Sequence, residues 1–197
     1  MATMNGVVLP GDSTVKPRCG SWFQPNEMAR QWAAALGAAR FLHAPAFVSP
    51  ALKRSLVQEE AIRSTLDLWE TATAAVVGLG AWPKHGPGLA AAGFPPDDPA
   101  IADAVGDVAG RFFTEDGTLA HYADEPRLLA IAAERLRRIP HAVGIAAGLE
   151  KTRAIVGAAR ARLINTLVTD AITARAVVDR LDQARGAEGV RLSVAPR

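Results

Sequence analysis

The sequence is short of cysteine and of net charge, and each shortage excludes a class of protein. Cys19 is the one cysteine in 197 residues, so a disulfide framework is excluded and a reducing compartment is favoured. The formal net charge is only +2, and the basic residues form no stripe of the kind that grips nucleic acid. No run approaches the roughly 18 apolar residues of a membrane span, and residues 1–9 do not resemble a signal peptide. We therefore expect a cytoplasmic chain without membrane contact or a DNA-binding surface of its own.

The chain does have enough apolar material for a core. Hydrophobic residues make up 49% of the sequence, and a chain of this length can bury a full core as one domain over residues 1–197. The apolar spacing alternates between the strand and helix periods, which predicts strands at 6–9, 40–42 and 74–77 with helices between them. Such alternation favours an α/β fold with a mostly parallel sheet and helices on both faces.

Local signals place the ends of several elements. Residues 26–36 form an amphipathic helix, and Ser49-Pro50 combines an N-cap with a proline at the first helical position. Asp98-Pro99 repeats this start before a short helix that is expected to end at Gly106. The remaining expectations are a hairpin over 107–113 with a turn at 115–117, a strand over 128–131, and a last helix with Ile172, Ala176, Val177 and Leu181 on one side.

The stretch from 140 to 170 carries the strongest chemical signal. Residues 142–146 and 166–169 are predicted strands with a helix between them, and such a β-loop-α-β unit implies parallel pairing. Gly148 breaks the first strand and Lys151 falls in the first helical turn, where unpaired N–H groups attract anions. We interpret this loop as a cradle for a phosphate or carboxylate. The same pattern also occurs in ordinary α/β proteins, in which Lys151 would simply be solvated.

A second glycine loop follows the strand at 74–77. Gly78-Leu79-Gly80 would let a ligand approach the backbone closely, although a tight turn needs the same residues. Lys84 and His85 lie in the loop beyond it and are candidate phosphate donors. His43, His121 and His141 have no metal-ligand spacing, so no metal and no cofactor are predicted. Three tryptophans are predicted to be core residues, namely Trp22, Trp32 and Trp69. Trp82, in the glycine loop, is predicted to cover the pocket or a subunit interface.

Taken in order, these motifs resemble the effector-binding domain of SorC-type, DeoR-related bacterial transcription regulators that respond to sugars. The resemblance covers residues 6–182, and each motif alone is weak while several in register are fairly specific. The motifs are Gln24-Pro25-Asn26-Glu27, Leu42-x-Ala44-Pro45-Ala46, Gly78-Leu79-Gly80, Ala104-Val105-Gly106-Asp107, Gly110-Arg111-Phe112-Phe113, Ala146-Ala147-Gly148-x-x-Lys151 and Leu163-Ile164-Asn165-x-Leu167-Val168-Thr169-Asp170.

The resemblance implies a three-layer Rossmann-like domain, similar to ribose-5-phosphate isomerase and glucosamine-6-phosphate deaminase. It implies a phosphorylated sugar as effector, action on operator DNA through a helix-turn-helix domain outside this chain, and a homodimer or homotetramer. Lys151 matches the lysine of the family's effector pocket and Asp107 an acidic pocket residue. Gln24 matches a polar residue at the effector, and the segment from Gly78 to His85 matches the loop over the sugar phosphate.

The chain departs from the family pattern in two places. Nothing before Gly6 resembles the usual helix-turn-helix or the first strand with its phosphate loop, so we expect a truncated or reduced form with an incomplete pocket. Ala147 replaces the first of two glycines usual before the lysine helix, and its methyl group would narrow the backbone approach.

Three functions are compatible with these residues. A non-catalytic sensor is favoured, because an isomerase or deaminase needs a positioned general base and no second acidic pair occurs in the candidate loops. In the enzyme alternative Asp107 and Lys151 would serve, and Lys151 could form a Schiff base with an aldehyde sugar. The third alternative is an interaction domain with a degenerate pocket. For Asp107 a local interaction is as compatible as sugar contact, and Asp170 is interpreted as the N-cap of the last helix.

Overall fold

The computed structural model describes residues 25–37, 40–82 and 98–191. Within these ranges it has six α-helices, three 3-10 turns and seven strands. The helices are α1 Pro25–Leu36, α2 Pro50–Leu56, α3 Glu60–Thr71, α4 Ala133–Leu136, α5 Thr152–Arg160 and α6 Ala171–Arg191, and the 3-10 turns are Pro99–Ile101, Glu125–Arg127 and Leu149–Lys151. The strands are β1 Ala74–Gly78, β2 Gly80–Ala81, β3 Gly106–Val108, β4 Arg111–Phe113, β5 Leu119–Ala120, β6 His141–Ile145 and β7 Thr166–Val168.

The predicted capping residues begin helices as expected. Ser49 Oγ accepts a hydrogen bond of 3.2 Å from the backbone N–H of Leu52, and Pro50 is the first residue of α2. Asp98 caps the 3-10 turn that begins at Pro99, since its carboxylate accepts from the N–H of Ala100 at 2.9 Å. These side chains satisfy backbone donors that the first turn leaves unpaired.

A parallel sheet of three strands, in the order β1-β6-β7, confirms the predicted α/β architecture. Gly78 at the end of β1 is the register partner of Ile145, and Ile145 is that of Val168. Ala75, Val77 and Ala142 are buried on one face of this sheet, while the alternating residues are less covered by the described chain. The carboxyl ends of all three strands therefore lie along one edge.

A separate antiparallel sheet, in the order β2-β3-β4-β5, joins the parallel one. Only Leu79 separates β1 from β2, so the chain passes directly from one sheet into the other. The predicted hairpin is present as β3 and β4, joined by a tight turn in which Ala109 (φ 51°) and Gly110 (φ 77°) both have positive φ. The prediction that Gly106 ends a helix was wrong, since this residue lies in strand β3. Glycine is required at this position because a Cβ would collide with neighbouring atoms.

Helix α5 packs directly on this antiparallel sheet. A Cβ added at Gly106 would lie 2.6 Å from the Cβ of Ala154, and one added at Gly157 would lie 2.7 Å from the backbone oxygen of Thr114. Both distances are shorter than van der Waals contact, so only glycine fits. The main core joins this helix to both sheets through apolar side chains, among them Val77, Val108, Phe113, Ile155 and Leu163.

A smaller core contains Trp82, and this corrects one expectation. Trp82 is buried beside Ile101, and its ring meets that of Phe112 edge-on with centroids 4.9 Å apart. Phe112 makes the same kind of contact with Tyr122. Burial in this cluster makes Trp82 a core residue of the described part of the chain. Trp69 packs against the core as predicted, whereas Trp32 is exposed rather than buried.

Two predicted strands and one helix face were wrong. Residues 40–42 form no strand, although Leu42 and Ala44 are buried while His43 is exposed, and this alternation produced the strand signal. Residues 128–131 form only an isolated bridge, between Leu128 and Phe47. Ile172 lies on the outer face of α6 and is 71% exposed, because it is about 140° around the helix from Val177. The predicted strand at 6–9 and Trp22 lie outside the described residues.

Glu115, in the loop between β4 and β5, ties the antiparallel sheet to two helices. Its carboxylate accepts from Arg153 Nε of α5 at 2.8 Å and from Arg180 Nη2 of α6 at 2.7 Å, and it also pairs with Arg180 Nε. Arg160 donates to the backbone oxygen of the same residue. The hydrogen bond from Arg180 is the largest cause that lowers the pKa of Glu115 to about 2 from its usual value of 4.5.

We expect Glu115→Gln to lower the free energy of unfolding near pH 7 by about 1–2 kcal/mol, after discounting the pair for solvent screening. A carboxyl whose pKa is depressed by folding stabilises the protein above its unfolded pKa, and this contribution disappears as pH falls through the folded pKa. The difference between wild type and variant should therefore shrink as the pH falls from about 5 towards 2, where the folded pKa lies. Urea unfolding at a series of pH values measures it.

The exposed Glu134 of α4, for which the described structure has no ion pair, provides the control. Glu134→Gln should leave the free energy of unfolding unchanged across this range. An equal effect of Glu115→Gln at pH 2 and pH 7 would contradict the ionic role.

Candidate functional site

Five of the eight predicted site residues meet where the two sheets join. Gly78 ends β1, Gly80 begins β2, and Gly80 is the register partner of Asp107 in β3. The loop with Gly148 and Lys151 follows β6, the strand beside β1. The carboxyl edge of a parallel sheet is where open α/β folds hold ligands. The structure therefore assembles these residues at a position suited to binding.

Lys151 links the two glycine loops. It lies at the end of the 3-10 turn Leu149–Lys151, which runs straight into α5. Its half-buried side chain reaches back across the sheet edge, and Nζ donates to the backbone oxygen of Leu79 at 3.0 Å. An ammonium has three N–H donors, and Leu79 uses one of them. The remaining two give this group the capacity to bind an anion without leaving the loop.

Gly148 occupies the turn that a cradle requires, but its N–H already has partners. Its φ is 110°, a left-handed conformation that favours glycine. The N–H donates to Thr173 Oγ1 at 2.8 Å and to Asp170 Oδ2 at 3.2 Å. The loop is thus bonded to the start of α6, so its shape is held in place by α6.

Two further residues at this loop escaped sequence reasoning. Thr173 is fully buried and has no sequence signal beyond its position three residues after a cap. The carboxylate of Glu150 folds over Gly148, since a Cβ added there would lie 2.5 Å from Glu150 Oε1. An acid in the first helical turn is a common sign of a favourable interaction with the helix dipole. Here it places a negative charge beside the loop that follows β6.

Asp170 caps α6, as predicted. Its Oδ1 accepts from the N–H of Thr173 at 2.8 Å, and its Oδ2 accepts from the Thr173 hydroxyl at 2.7 Å. The hydroxyl of Thr173, and then its N–H, lower the pKa of the Asp170 carboxyl, and the N–H of Gly148 contributes as well. Asp170 is therefore ionised at neutral pH and joins the β6 loop to the helix.

Asp107 makes a local hydrogen bond, which is one of the two roles that the sequence allows for it. It is 8% exposed, and its Oδ2 accepts from the N–H of Gly110 in the β3–β4 turn at 3.2 Å. This bond stabilises the tight turn. Contact between Asp107 and a sugar stays a prediction.

The other predicted site residues, Gln24, Lys84 and His85, lie outside the described residues. Within the described ranges, no three His, Cys, Asp or Glu side chains form a cluster that could hold a metal ion. His121 instead contacts Glu125, with 2.8 Å between Nδ1 and Oε2.

A cavity of about 380 Å³ lies elsewhere, between α5, β7 and α6. It is mostly apolar, and its lining includes Ile155, Ile164, Leu167, Val177 and Leu181. Asn165 and Thr166, at the amino end of β7, also line it, whereas none of the predicted site residues does. Across the described residues, no helix is both long enough and apolar enough to cross a lipid bilayer.

Comparison with known proteins agrees with this architecture. A family model described as "Putative sugar-binding domain" matches residues 6–179, a range that includes all eight predicted site residues. The chain therefore belongs to this family of sugar-binding domains.

Curated relatives of the chain include bacterial transcriptional regulators. The chain is 34% identical over 142 residues to the transcriptional regulator LsrR of Enterobacter sp. (strain 638), covering 68% of this chain and 44% of that protein. It is 30% identical over 130 residues to the sorbitol operon regulator of Klebsiella pneumoniae, covering 64% and 41%. The chain thus spans less than half the length of these two relatives.

Solved structures of the same kind share the fold. The full-length sorbitol operon regulator SorC from Klebsiella pneumoniae has a TM-score of 0.72 at 28% identity, covering 82% of this chain and 53% of that one. The sugar-binding domain of a transcriptional repressor from Vibrio fischeri has a TM-score of 0.70 at 30% identity, covering 81% and 66%. A mixed α/β domain of the SorC and DeoR type is therefore established, while the Rossmann-like detail stays a prediction.

Substitutions at two glycines should show which of them the packing of the core requires. A Cβ at Gly106 would lie 2.4 Å from the backbone oxygen of Gly80, so Gly106→Ala should lower the free energy of unfolding by about 2–3 kcal/mol. Among the described residues no atom lies within 4 Å of a Cβ at Gly78, so Gly78→Ala should change it by less than about 0.5 kcal/mol. Urea denaturation measures both, and equal losses would contradict the packing described at β3.

Proposed function

We propose that this chain is the effector-binding and oligomerisation domain of a sugar-responsive transcriptional regulator, and that its effector is a phosphorylated sugar. Membership of the sugar-binding family supports a sugar as effector, and the regulators among its relatives support a role in transcription. The phosphate is proposed from the position of the Lys151 ammonium in the loop after β6. Operator DNA would be contacted through a domain outside this chain. Residues 1–197 act as one domain, assembled as a homodimer or homotetramer.

The phosphate would bind at the loop that follows β6. The Lys151 ammonium lies there, at the start of a helical segment that continues to Arg160. A cation together with helix N–H groups is a suitable receptor for a phosphate. Glu150 opposes such binding in the unliganded chain, because its carboxylate folds over Gly148. An incoming phosphate would displace this side chain into solvent.

The sugar hydroxyls would face the second sheet. Gly80 and Asp107 are register partners, and Lys151 contacts the residue just before Gly80. We therefore expect a ligand whose phosphate is at Lys151 to extend towards Asp107. Carboxylates are good acceptors for sugar hydroxyls. Gln24, Lys84 and His85 would complete the pocket.

We expect a sugar phosphate to raise the melting temperature of the chain, and the ligand should lose this effect in Lys151→Ala. At about a hundred times its dissociation constant, a ligand stabilises the fold by roughly 2.7 kcal/mol. The screen compares pentose and hexose phosphates with the same sugars lacking phosphate and with inorganic phosphate. Asp107→Ala should also lose the shift, whereas Arg54→Ala, at an exposed position of α2, should retain it.

Glu150→Gln provides a second readout that a structural role would not produce. Removing the carboxylate should strengthen binding of the phosphorylated sugar about two- to tenfold and leave any binding of the neutral sugar unchanged, because only the phosphate is repelled. Isothermal titration measures both. A shift by neutral sugars alone, insensitive to Lys151 and Glu150, would refute the phosphate assignment.

The domain acts without turnover in this proposal. An isomerase or deaminase would need a general base placed against the reacting carbon of the sugar. The described contacts of Asp107, with Gly110, and of Glu150, over Gly148, assign neither carboxylate to that role. Purified protein should leave ribose 5-phosphate and glucosamine 6-phosphate unchanged in a coupled assay. Turnover that disappears in Lys151→Ala would favour a sugar-phosphate isomerase or deaminase.

A further inference from the structure

The cavity between α5, β7 and α6 lies at the opposite edge of the parallel sheet from the proposed sugar site. Arg160, which lines it, is the last residue of α5, and Thr166 is the first residue of β7. The amino ends of the parallel strands share this edge, whereas Gly148 and Asp170 follow strands β6 and β7 at the carboxyl edge. A molecule bound in this cavity would therefore not contact the proposed sugar loop.

The interior of the cavity is apolar. Its volume of about 380 Å³ falls within the roughly 300–1,000 Å³ that small-molecule sites occupy. Ile155 and Ile164 are almost fully buried in its wall, and Leu167 and Val177 are half-buried there. An apolar guest gains dispersion contacts with such a lining and gives up no hydrogen bond of the protein. The interior thus suits a hydrocarbon body.

The neutral polar groups at the mouth of the cavity are already paired within the protein. Asn165 Oδ1 accepts from the N–H of Ala142 at 3.1 Å, and Asn165 Nδ2 donates to the backbone oxygen of Pro140 at 2.8 Å. The Thr166 hydroxyl donates to Asn165 Oδ1 at 3.3 Å. A ligand rich in hydroxyls would find few free partners here, so this mouth does not favour a sugar.

Arg160 supplies a positive charge at the same mouth. Its side chain is exposed, and Nη1 donates to the backbone oxygen of Glu115 at 3.1 Å. A guanidinium has five N–H donors, so most of them stay free. The Glu115 carboxylate is engaged by Arg153 and Arg180 instead, and none of the described lining residues is acidic. The guanidinium can therefore hold a carboxylate through two parallel hydrogen bonds.

Two further arginines add positive charge beside Arg160. Arg162 is exposed two residues along the chain, and the exposed Arg137 donates through Nε to the backbone oxygen of Ala161 at 2.9 Å. Neither makes an ion pair within the described part of the chain. Unpaired cations around an opening attract anions and raise their local concentration.

We propose that this cavity is a second small-molecule site and that it binds an amphipathic carboxylate, such as a medium-chain fatty acid. The aliphatic chain would lie against Ile155, Leu167 and Val177, and the carboxylate would bind Arg160. The combination of an apolar interior with a cationic mouth distinguishes this ligand from a sugar and from a neutral hydrocarbon. The inference does not rest on the proposed sugar site and is tested without any sugar.

Titration of the full chain with octanoate, followed by two-dimensional ¹H–¹⁵N NMR, measures the affinity and locates the site. We expect a dissociation constant of about 1 mM or tighter, at the ligand efficiency of ordinary small molecules. The amide shifts should concentrate at residues that line the cavity. Each methylene removed from the chain should weaken binding about fourfold, because it removes buried apolar surface.

The anion assignment is tested with octanamide, a neutral ligand of the same shape. Octanamide should bind about tenfold more weakly than octanoate, and Arg160→Gln should weaken octanoate by a similar factor while leaving octanamide unchanged. Arg175→Gln is the matched control, since it alters an exposed arginine of α6 that does not line the cavity. Equal binding of the two ligands, or an equal loss of both in Arg160→Gln, would overturn the role of the charge.

Substitutions that fill the space test the location. Ala159→Phe, at an exposed lining position, should block both ligands, and Val177→Phe in the interior should do the same. Ala51→Phe, at an exposed position of α2, should bind as wild type does, and circular dichroism verifies that each variant is folded. Shifts spread over the whole surface, octanoate binding that persists in both filled variants, or no binding well above 1 mM would each overturn the proposal.

Discussion

The close contact of α5 with the antiparallel sheet is the constraint on which the rest of the domain depends. Gly106 and Gly157 allow the strand and helix backbones to approach within distances that no larger residue permits. Glu115 then holds the adjacent loop to Arg153 and Arg180. Because Lys151 immediately precedes α5, this packing also determines where its ammonium lies relative to Leu79. Site geometry is thus a result of core packing.

The loop after β6 is connected to α6 more firmly than an isolated anion loop would be. Gly148 donates to both Thr173 and Asp170, which form the first turn of that helix. A change in the loop that alters these bonds acts directly on the capping of α6. The proposed sugar site is therefore linked directly to the start of α6.

Much of this fold could be predicted from local sequence signals, because caps, glycine positions and apolar periods act over a few residues. Ser49, Asp98 and Asp170 were identified as caps on this basis, and β1, β6 and β7 by their apolar runs. Prediction failed where long-range contacts decide the outcome. Leu42, His43 and Ala44 alternate between buried and exposed positions but form no strand. Trp82 is enclosed by residues that are distant in the sequence. In the site, the hydrogen bonds of the Gly148 N–H depend on residues at the start of α6, which are distant in the sequence. The position of the Glu150 carboxylate depends on its side-chain conformation, which no local sequence pattern predicts.

The short connection between the two sheets has an optical consequence. Leu79 accepts the Lys151 hydrogen bond, and three residues later the indole of Trp82 is enclosed by the rings of Phe112 and its neighbours. Because only the two residues of β2 separate Leu79 from Trp82, we expect a displacement of the Leu79 carbonyl to alter the apolar surroundings of this indole. With the other tryptophans replaced by phenylalanine, Trp82 would make the junction of the two sheets visible by its own emission, without an attached dye.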